Sequence, residues 1–267
     1  MINAGAHQGI MAACRNECSR GRCRPGRYTG WRAHRVLARR RSIGQAGRVK
    51  HAPEGRTGES AKRNLRARVR AARAARTPAE RAAVAASLAF QASTIPRWSV
   101  ADCVGSYLAL PGEPDCAGIH DLLADAGGTV LLPRLKTDSM APAEARFSTA
   151  RMQFAAANRG PHGRWNVARG TRTPSGQQLI EPTGPPLPAN RAQVLLVPTT
   201  AVDRRGGRLG QGGGFYDRVL GSLPSSPRPL LVAVVHDDEV LDDVPVAAHD
   251  VRMDGILTPS GYRPATG

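Results

Sequence analysis

From about residue 60 onward the chain alternates between two textures. The first is helical: "SAKRNLRARVRAARAARTPAERAAVAASLAFQA" (60–92) sets Leu65, Val69 and Ala72 on one face and leaves arginines on the other. Thr77-Pro78 divides it into two helices, with Thr77 capping the second and Glu80 three residues on. The second texture is a short continuous apolar run: "CVGSYLAL" (103–110), "TVLLP" (129–133), "QVLLVP" (193–198), "PLLVAVVH" (229–236) and "DGILTP" (254–259). Such runs suit strands buried on both faces. Between them lie helical or loop segments such as "AGIHDLLADAG", a helix ending at Gly127, so the pattern predicts a parallel sheet. The fold class is therefore α/β, a single doubly wound, mostly parallel sheet flanked by helices, over residues 60–262. Residues 137–192 read as loop, with a short strand around Ala145–Phe147, and no internal repeat is visible.

Composition changes this picture mainly at the N-terminus. The 267 residues are enough to bury a sizeable core, but aromatics make up only 4%, so Ala, Val and Leu must build it. The formal charge of +17 first suggests a nucleic-acid binder. Residues 1–60 hold 13 Lys+Arg against 3 Asp+Glu, however, so most of the excess sits in one Arg/Gly-rich segment. Residues 1–59, with "RGRCRPGR" and "ARRRS", lack apolar periodicity and read as a disordered extension or an over-early start. A nucleic-acid-binding arm is the alternative there.

Cys14, Cys18, Cys23, Cys103 and Cys116 do not form a zinc pattern, and an odd count without a signal-peptide core points to free thiols in a reducing cytoplasm. No apolar run reaches membrane-spanning length. A soluble, cytoplasmic monomer acting on small molecules is expected, with neither membrane nor nucleic acid as partner.

The densest chemistry lies in "VLLVPTTAVDRRGGRLGQGGGFYD" (194–217). In an open α/β sheet, ligands bind beyond the carboxyl ends of the strands, where the "VLLVP" run places this segment. Glycines let backbone N–H groups converge on an anion, "FYDRVLGSL" starts a helix, and Arg208 adds a forked permanent charge. A phosphate site is the natural inference. A tight strand–helix turn is the plainer one. There is no G-x-x-x-x-G-K-[ST], and "GQGGGF" lacks the context of a dinucleotide-binding motif.

These residues carry a resemblance. "VPTTAVDRRGGRLGQGGGFYDRVL" is similar to the signature of the 5-formyltetrahydrofolate cyclo-ligase family, with Arg208, Leu209, Gly210, Gly212, Gly214, Tyr216 and Asp217 in place. "AKRNLR" (61–66) resembles the family's opening helix, "YLALPGEPD" (107–115) its strand ending in Glu, and "VPVAAHDVRMDGILTP" (244–259) its closing segment. The chain departs at Thr199-Thr200, where a Gly is usual, and at Gln211, where some members carry a basic residue. The family's aromatic and E-P block matches "QLIEP" (178–182) better than "WNV" (165–167).

The resemblance implies ATP- and Mg²⁺-dependent closure of 5-formyltetrahydrofolate to 5,10-methenyltetrahydrofolate. Arg208 would be the catalytic charge. The ATP site would comprise Lys62, Arg63, Asn64, Leu65 and Arg66 with Arg208, Leu209, Gly210, Gln211, Gly212, Gly213, Gly214, Phe215 and Tyr216. Leu108, Glu113 and Tyr216 would meet the folate, and Asp217 with Asp250 would hold Mg²⁺. Each has a plainer reading: a solvated basic face for Lys62 and Arg66, a turn residue for Glu113, helix or turn caps for Asp217 and Asp250. His236 and His249 read as structural or solvated, and Cys103 and Cys116 as inert. A cyclo-ligase-like paralogue with another substrate, or none, is the alternative within the fold.

Overall fold

The first helix, α1 (Arg56–Ala74), begins slightly before the expected Ser60, with Glu59 in a first turn that favours an acid. In α2 (Pro78–Gln91) the capping box is present as expected. Thr77 Oγ1 accepts the Glu80 N–H at 3.2 Å, and the Glu80 carboxylate accepts the Thr77 N–H at 2.7 Å. The computed structural model describes residues 56–267 apart from 138–139, 141–145, 161, 174–175 and 248–249. The expected extension thus lies almost wholly outside the described residues.

Five strands form the parallel centre of the sheet: β1 (Cys103–Gly105), β2 (Thr129–Lys136), β7 (Val194–Pro198), β10 (Leu230–Val234) and β12 (Gly255–Thr258). Antiparallel β3 (Arg151–Ala157) and β6 (Pro186–Leu187) extend one edge, and β13 (Gly261–Pro264) the other. The order is β13-β12-β10-β7-β1-β2-β3-β6. All five apolar runs are central strands, because only a two-sided apolar run tolerates helices on both faces. One face (Val104, Val130, Val194, Leu196, Val232, Leu257) packs on Leu88 of α2 and on Ile119 and Leu123 of α3 (Ala117–Asp125). The other (Leu131, Leu195, Val197, Leu231, Ala233, Ile256) packs on Leu220 of α5 (Phe215–Gly221). Gly127, at φ 79°, follows the end of α3 as expected.

Three expectations need correction. The arginines of α1 are not confined to a solvated face: Arg73 is only 3% exposed and Arg66 is half-buried. The first strand run ends at Gly105, with Ser106 N–H still donating to Leu131 O at 2.8 Å, and Tyr107–Leu110 leave the ladder while Tyr107 Oη donates to Pro114 O at 2.7 Å. The short strand near 145–147 is instead a helical turn, α4 (Arg146–Thr149), with Ala145 outside the described residues. The segment 137–192 holds β3, β6 and a hairpin of β4 (Val167–Arg172) and β5 (Gln178–Pro182). The hairpin, of whose strand residues only Pro182 is buried, needed no apolar period, so it left no trace in the hydrophobic pattern. Among the described residues no helix is long and apolar enough to cross a membrane.

One buried pair makes the fold acid-sensitive. His120 Nε2 lies 2.7 Å from Ser106 Oγ, and its ring meets Trp165 edge-on at 6.0 Å. Burial pulls its pKa down to about 4, against small opposing effects of Asp115 and Asp121. The unfolded chain, titrating near 6.5, therefore takes up this proton first as the pH falls. The stability is complete above pH 6.5 and is lost progressively towards pH 4, by about 3 kcal/mol. Urea midpoints at pH 7 and pH 4.5 should differ by more in the wild type than in a His120→Gln variant.

Candidate active site

The order of the strands sets the site. From β1 the chain moves outward to β2, and from β7 it moves the other way to β10, so the loops beyond β1 and β7 diverge and leave a crevice. The loop after β1 brings Leu108 and Glu113. After β7 come β8 (Ala201–Asp203) and β9 (Arg208–Leu209), the glycines 210, 212, 213 and 214, and α5. The crevice is a cavity of about 580 Å³.

Arg208 is 5% exposed, and its Nη2 donates to Asp217 Oδ1 at 2.5 Å. Its Nε is buried without a partner among the described residues, so a donor remains for a ligand. Gly212 and Gly214 have φ of 104° and 64°, the left-handed region that side chains avoid. A Cβ at Gly212 would also stand 3.6 Å from the Arg66 guanidinium. The guanidinium of Arg66 from α1 thus lies within contact distance of the loop. Arg66 Nε donates to Gly210 O at 2.9 Å, and Lys62, one turn earlier, lines the same cavity.

The helical period separates the predicted α1 residues. Lys62 and Arg66 line the cavity; Arg63 and Asn64 are exposed on other faces, and Leu65 packs with Ala201, Leu209 and Val244. The remaining predicted residues are brought together. Leu108, Glu113, Arg208, Leu209, Gly210, Gln211, Gly212, Gly213, Gly214, Phe215, Tyr216, Asp217 and Asp250 all line the cavity.

Glu113 sits opposite the glycine loop and is 8% exposed. Its Oε2 accepts the Leu110 N–H at 3.0 Å, and its Oε1 accepts from Gln211 Nε2 at 3.2 Å. Burial raises its pKa, offset in part by those donors and by Arg73. Gln211 in turn accepts from Arg70 Nη2 at 3.2 Å, so the residue standing in place of a base ties α1 to Glu113. The buried Tyr216 hydroxyl has no partner among the described residues, and burial raises its pKa.

Asp217 is 46% exposed at its side chain, and Asp250 Oδ2 accepts the Ala247 N–H at 2.7 Å. No group of three or more His, Cys, Asp or Glu suited to a metal occurs among the described residues. Two carboxylates on a cavity lined by cations and glycine backbone nevertheless fit Mg²⁺, which takes few protein ligands and completes its shell with phosphate and water.

His236 is buried rather than solvated, with Nε2 3.3 Å from Gly112 O, and burial lowers its pKa. His249 lies outside the described residues. Cys103 and Cys116 are buried free thiols, pushed up to about 11 and about 12 by burial. Of the two candidates for the E-P block, "QLIEP" lines the cavity through Leu179, Ile180 and Glu181, whereas Trp165 packs on His120.

Sequence reasoning missed an apolar wall. Phe147 lies edge-on to Phe215 at 5.2 Å and lines the cavity with Pro133, Leu135 and Met152. The "LLP" and "MQF" runs were available as signals, but their pairing across β2 and β3 was not.

Comparisons with known proteins agree with this architecture. A model of the 5-formyltetrahydrofolate cyclo-ligase family matches residues 58–259. A 5-formyltetrahydrofolate cyclo-ligase of Mycolicibacterium smegmatis is 37% identical over 160 residues, covering 58% of this chain and 73% of the relative. That of Escherichia coli is 30% identical over 196 residues, covering 72% and 97%. In fold, the chain is similar to a 5,10-methenyltetrahydrofolate synthetase of Aquifex aeolicus, with TM-score 0.60 and 21% identity over 77% of this chain and 93% of that one. It is also similar to one from Mycoplasma pneumoniae, with TM-score 0.53, 16% identity and coverage of 73% and 97%.

Proposed function

The chain belongs to the 5-formyltetrahydrofolate cyclo-ligase family, and on that premise we propose that it closes 5-formyltetrahydrofolate to 5,10-methenyltetrahydrofolate using ATP and Mg²⁺. The observation that supports this most is what one cavity brings together: Arg208, Lys62, Arg66 and the glycine backbone, with the buried Glu113 and the apolar Leu108, Phe147, Leu135 and Met152.

The chemistry asks for both sets of groups. The formyl oxygen attacks the γ-phosphorus of ATP, and ADP leaves. N10 then attacks the activated formyl carbon. Phosphate departs with the former formyl oxygen, and the N10 proton passes to phosphate or solvent. No protein nucleophile is required; positioning and charge neutralisation are. Arg208 and the glycine N–H groups hold the phosphates, with Lys62 and Arg66 approaching from α1. Glu113 orients the folate ring system, Leu108 packs on it, and Tyr216 lies where nucleotide and folate halves meet. Asp217 and Asp250 would hold Mg²⁺, which when bound neutralises charge on the phosphates.

The test is absorbance of the methenyl product with 5-formyltetrahydrofolate and Mg-ATP. Product that requires ATP supports the reading. No product from folded protein that binds ATP would favour a paralogue with another substrate. Asp217→Asn should raise the Mg²⁺ concentration for half-maximal rate about tenfold or more. An unchanged Mg²⁺ titration would remove Asp217 from the metal site.

A further inference from the structure

The cavity leaves one buried charge pair unexplained. Arg73 Nε and Nη2 donate to Glu239 Oε1 and Oε2 at 2.7 and 2.8 Å, a bidentate pair with side chains 4% and 2% exposed. Nη2 also donates to Thr199 O at 2.7 Å. Neither residue lines the cavity. Removing two charges from water is costly, and a buried ion pair seldom repays that cost in stability compared with apolar residues of similar size.

The pair joins the elements on which the cavity depends. Thr199 opens the connection from β7 to the glycine loop. Glu239 Oε2 accepts the His236 N–H at 3.0 Å, and His236 lies against Gly112 O at 3.3 Å. A Cβ on Gly112, at φ 85°, would stand 3.0 Å from Arg73 Cβ, so the turn that presents Glu113 rests directly on α1. On the helix, Arg66 lies seven residues before Arg73, two turns and about 10 Å away on nearly the same face. A roll of α1 about its axis would therefore displace both Arg66 and the support of Glu113.

We infer that Arg73 and Glu239 are positioning residues, a shared anchor that sets α1 and the Gly112–Glu113 turn in register so that the phosphate-side cations and the folate-side carboxylate face one cavity. This rests on the reaction proposed above. A merely stabilising pair and an anchor differ in kinetics. Loss of a stabilising pair lowers the folded fraction and hence the apparent kcat, leaving KM for both substrates unchanged. Loss of an anchor raises both KM values together.

The experiment compares the wild type with Arg73→Lys and with the double replacement Arg73→Met plus Glu239→Leu, in which neither charge is left buried alone. Thermal midpoints, kcat and both KM values are measured. The double variant leaves the Thr199 carbonyl and the His236 N–H without these partners and is expected to melt below the wild type, with KM for ATP and for 5-formyltetrahydrofolate of the folded protein each raised about tenfold. Arg73→Lys keeps the charge but loses the fork, and should show a smaller rise in both; it carries the test alone if the double variant does not fold. Unchanged KM values in folded variants, or a rise for one substrate only, would overturn the anchor. Wild-type protein that makes no methenyl product would count against the reaction instead. The anchor is then read from the dissociation constant for the Mg²⁺ complex of a non-hydrolysable ATP analogue, expected to rise about tenfold in the double variant and less in Arg73→Lys, and overturned if it is unchanged.

Discussion

Replacing Arg208 with alanine is expected to lower the rate of methenyl product formation by about 10³-fold or more, while the protein stays folded. Its guanidinium is buried at the cavity wall with one nitrogen on Asp217 and its Nε unpartnered among the described residues. A permanent charge held there without reorganisation acts on phosphate oxygens in a region where water screens little. The loss should fall on kcat as well as on KM for ATP, because phosphoryl transfer places its changing charge on those oxygens. Asp217 is half-exposed and can be solvated once its partner is gone. A rate within tenfold of the wild type would remove Arg208 from the reaction and leave the glycine loop as a tight turn.

The second large effect is expected from Glu113→Gln. Glutamine keeps the shape and an oxygen to accept the Leu110 N–H, so the turn is preserved. What is lost is the charge facing the cavity, and a hydrogen bond to a charged group contributes about 1.5–3 kcal/mol. KM for 5-formyltetrahydrofolate should therefore rise by about 10- to 100-fold, with KM for ATP within about twofold. Burial holds the Glu113 carboxyl above the ordinary carboxylate range. The acidic fall of kcat/KM for folate should thus lie at higher pH than an ordinary glutamate gives, and disappear in the variant. Equal effects on both substrates would place Glu113 in the anchor rather than at the folate.

These residues differ in how far the local sequence marks them. Arg208 and the glycines stand within one contiguous segment, where a strand end, a turn and a helix start follow in sequence, so the chemistry is legible locally. Lys62 and Arg66 are a helical turn apart, but nothing local separates them from the six other arginines of residues 60–92. The period alone sends Arg63 and Asn64 outward. Nothing in the pattern singles out Arg73, because a buried arginine is defined by its partner, and Glu239 is 166 residues away. The wall built by Phe147 was missed for the same reason.

By itself the sequence determined the five buried strands, the helices that cover them and the glycine loop, because two-sided burial, capping and left-handed turns each impose a local composition. Only the tertiary structure decided the strand order that opens the crevice beyond β1 and β7, the hairpin and apolar wall that border it, and the pairing of Arg73 with Glu239. Such features depend on contacts between residues far apart in the chain, which hydrophobic periodicity does not encode.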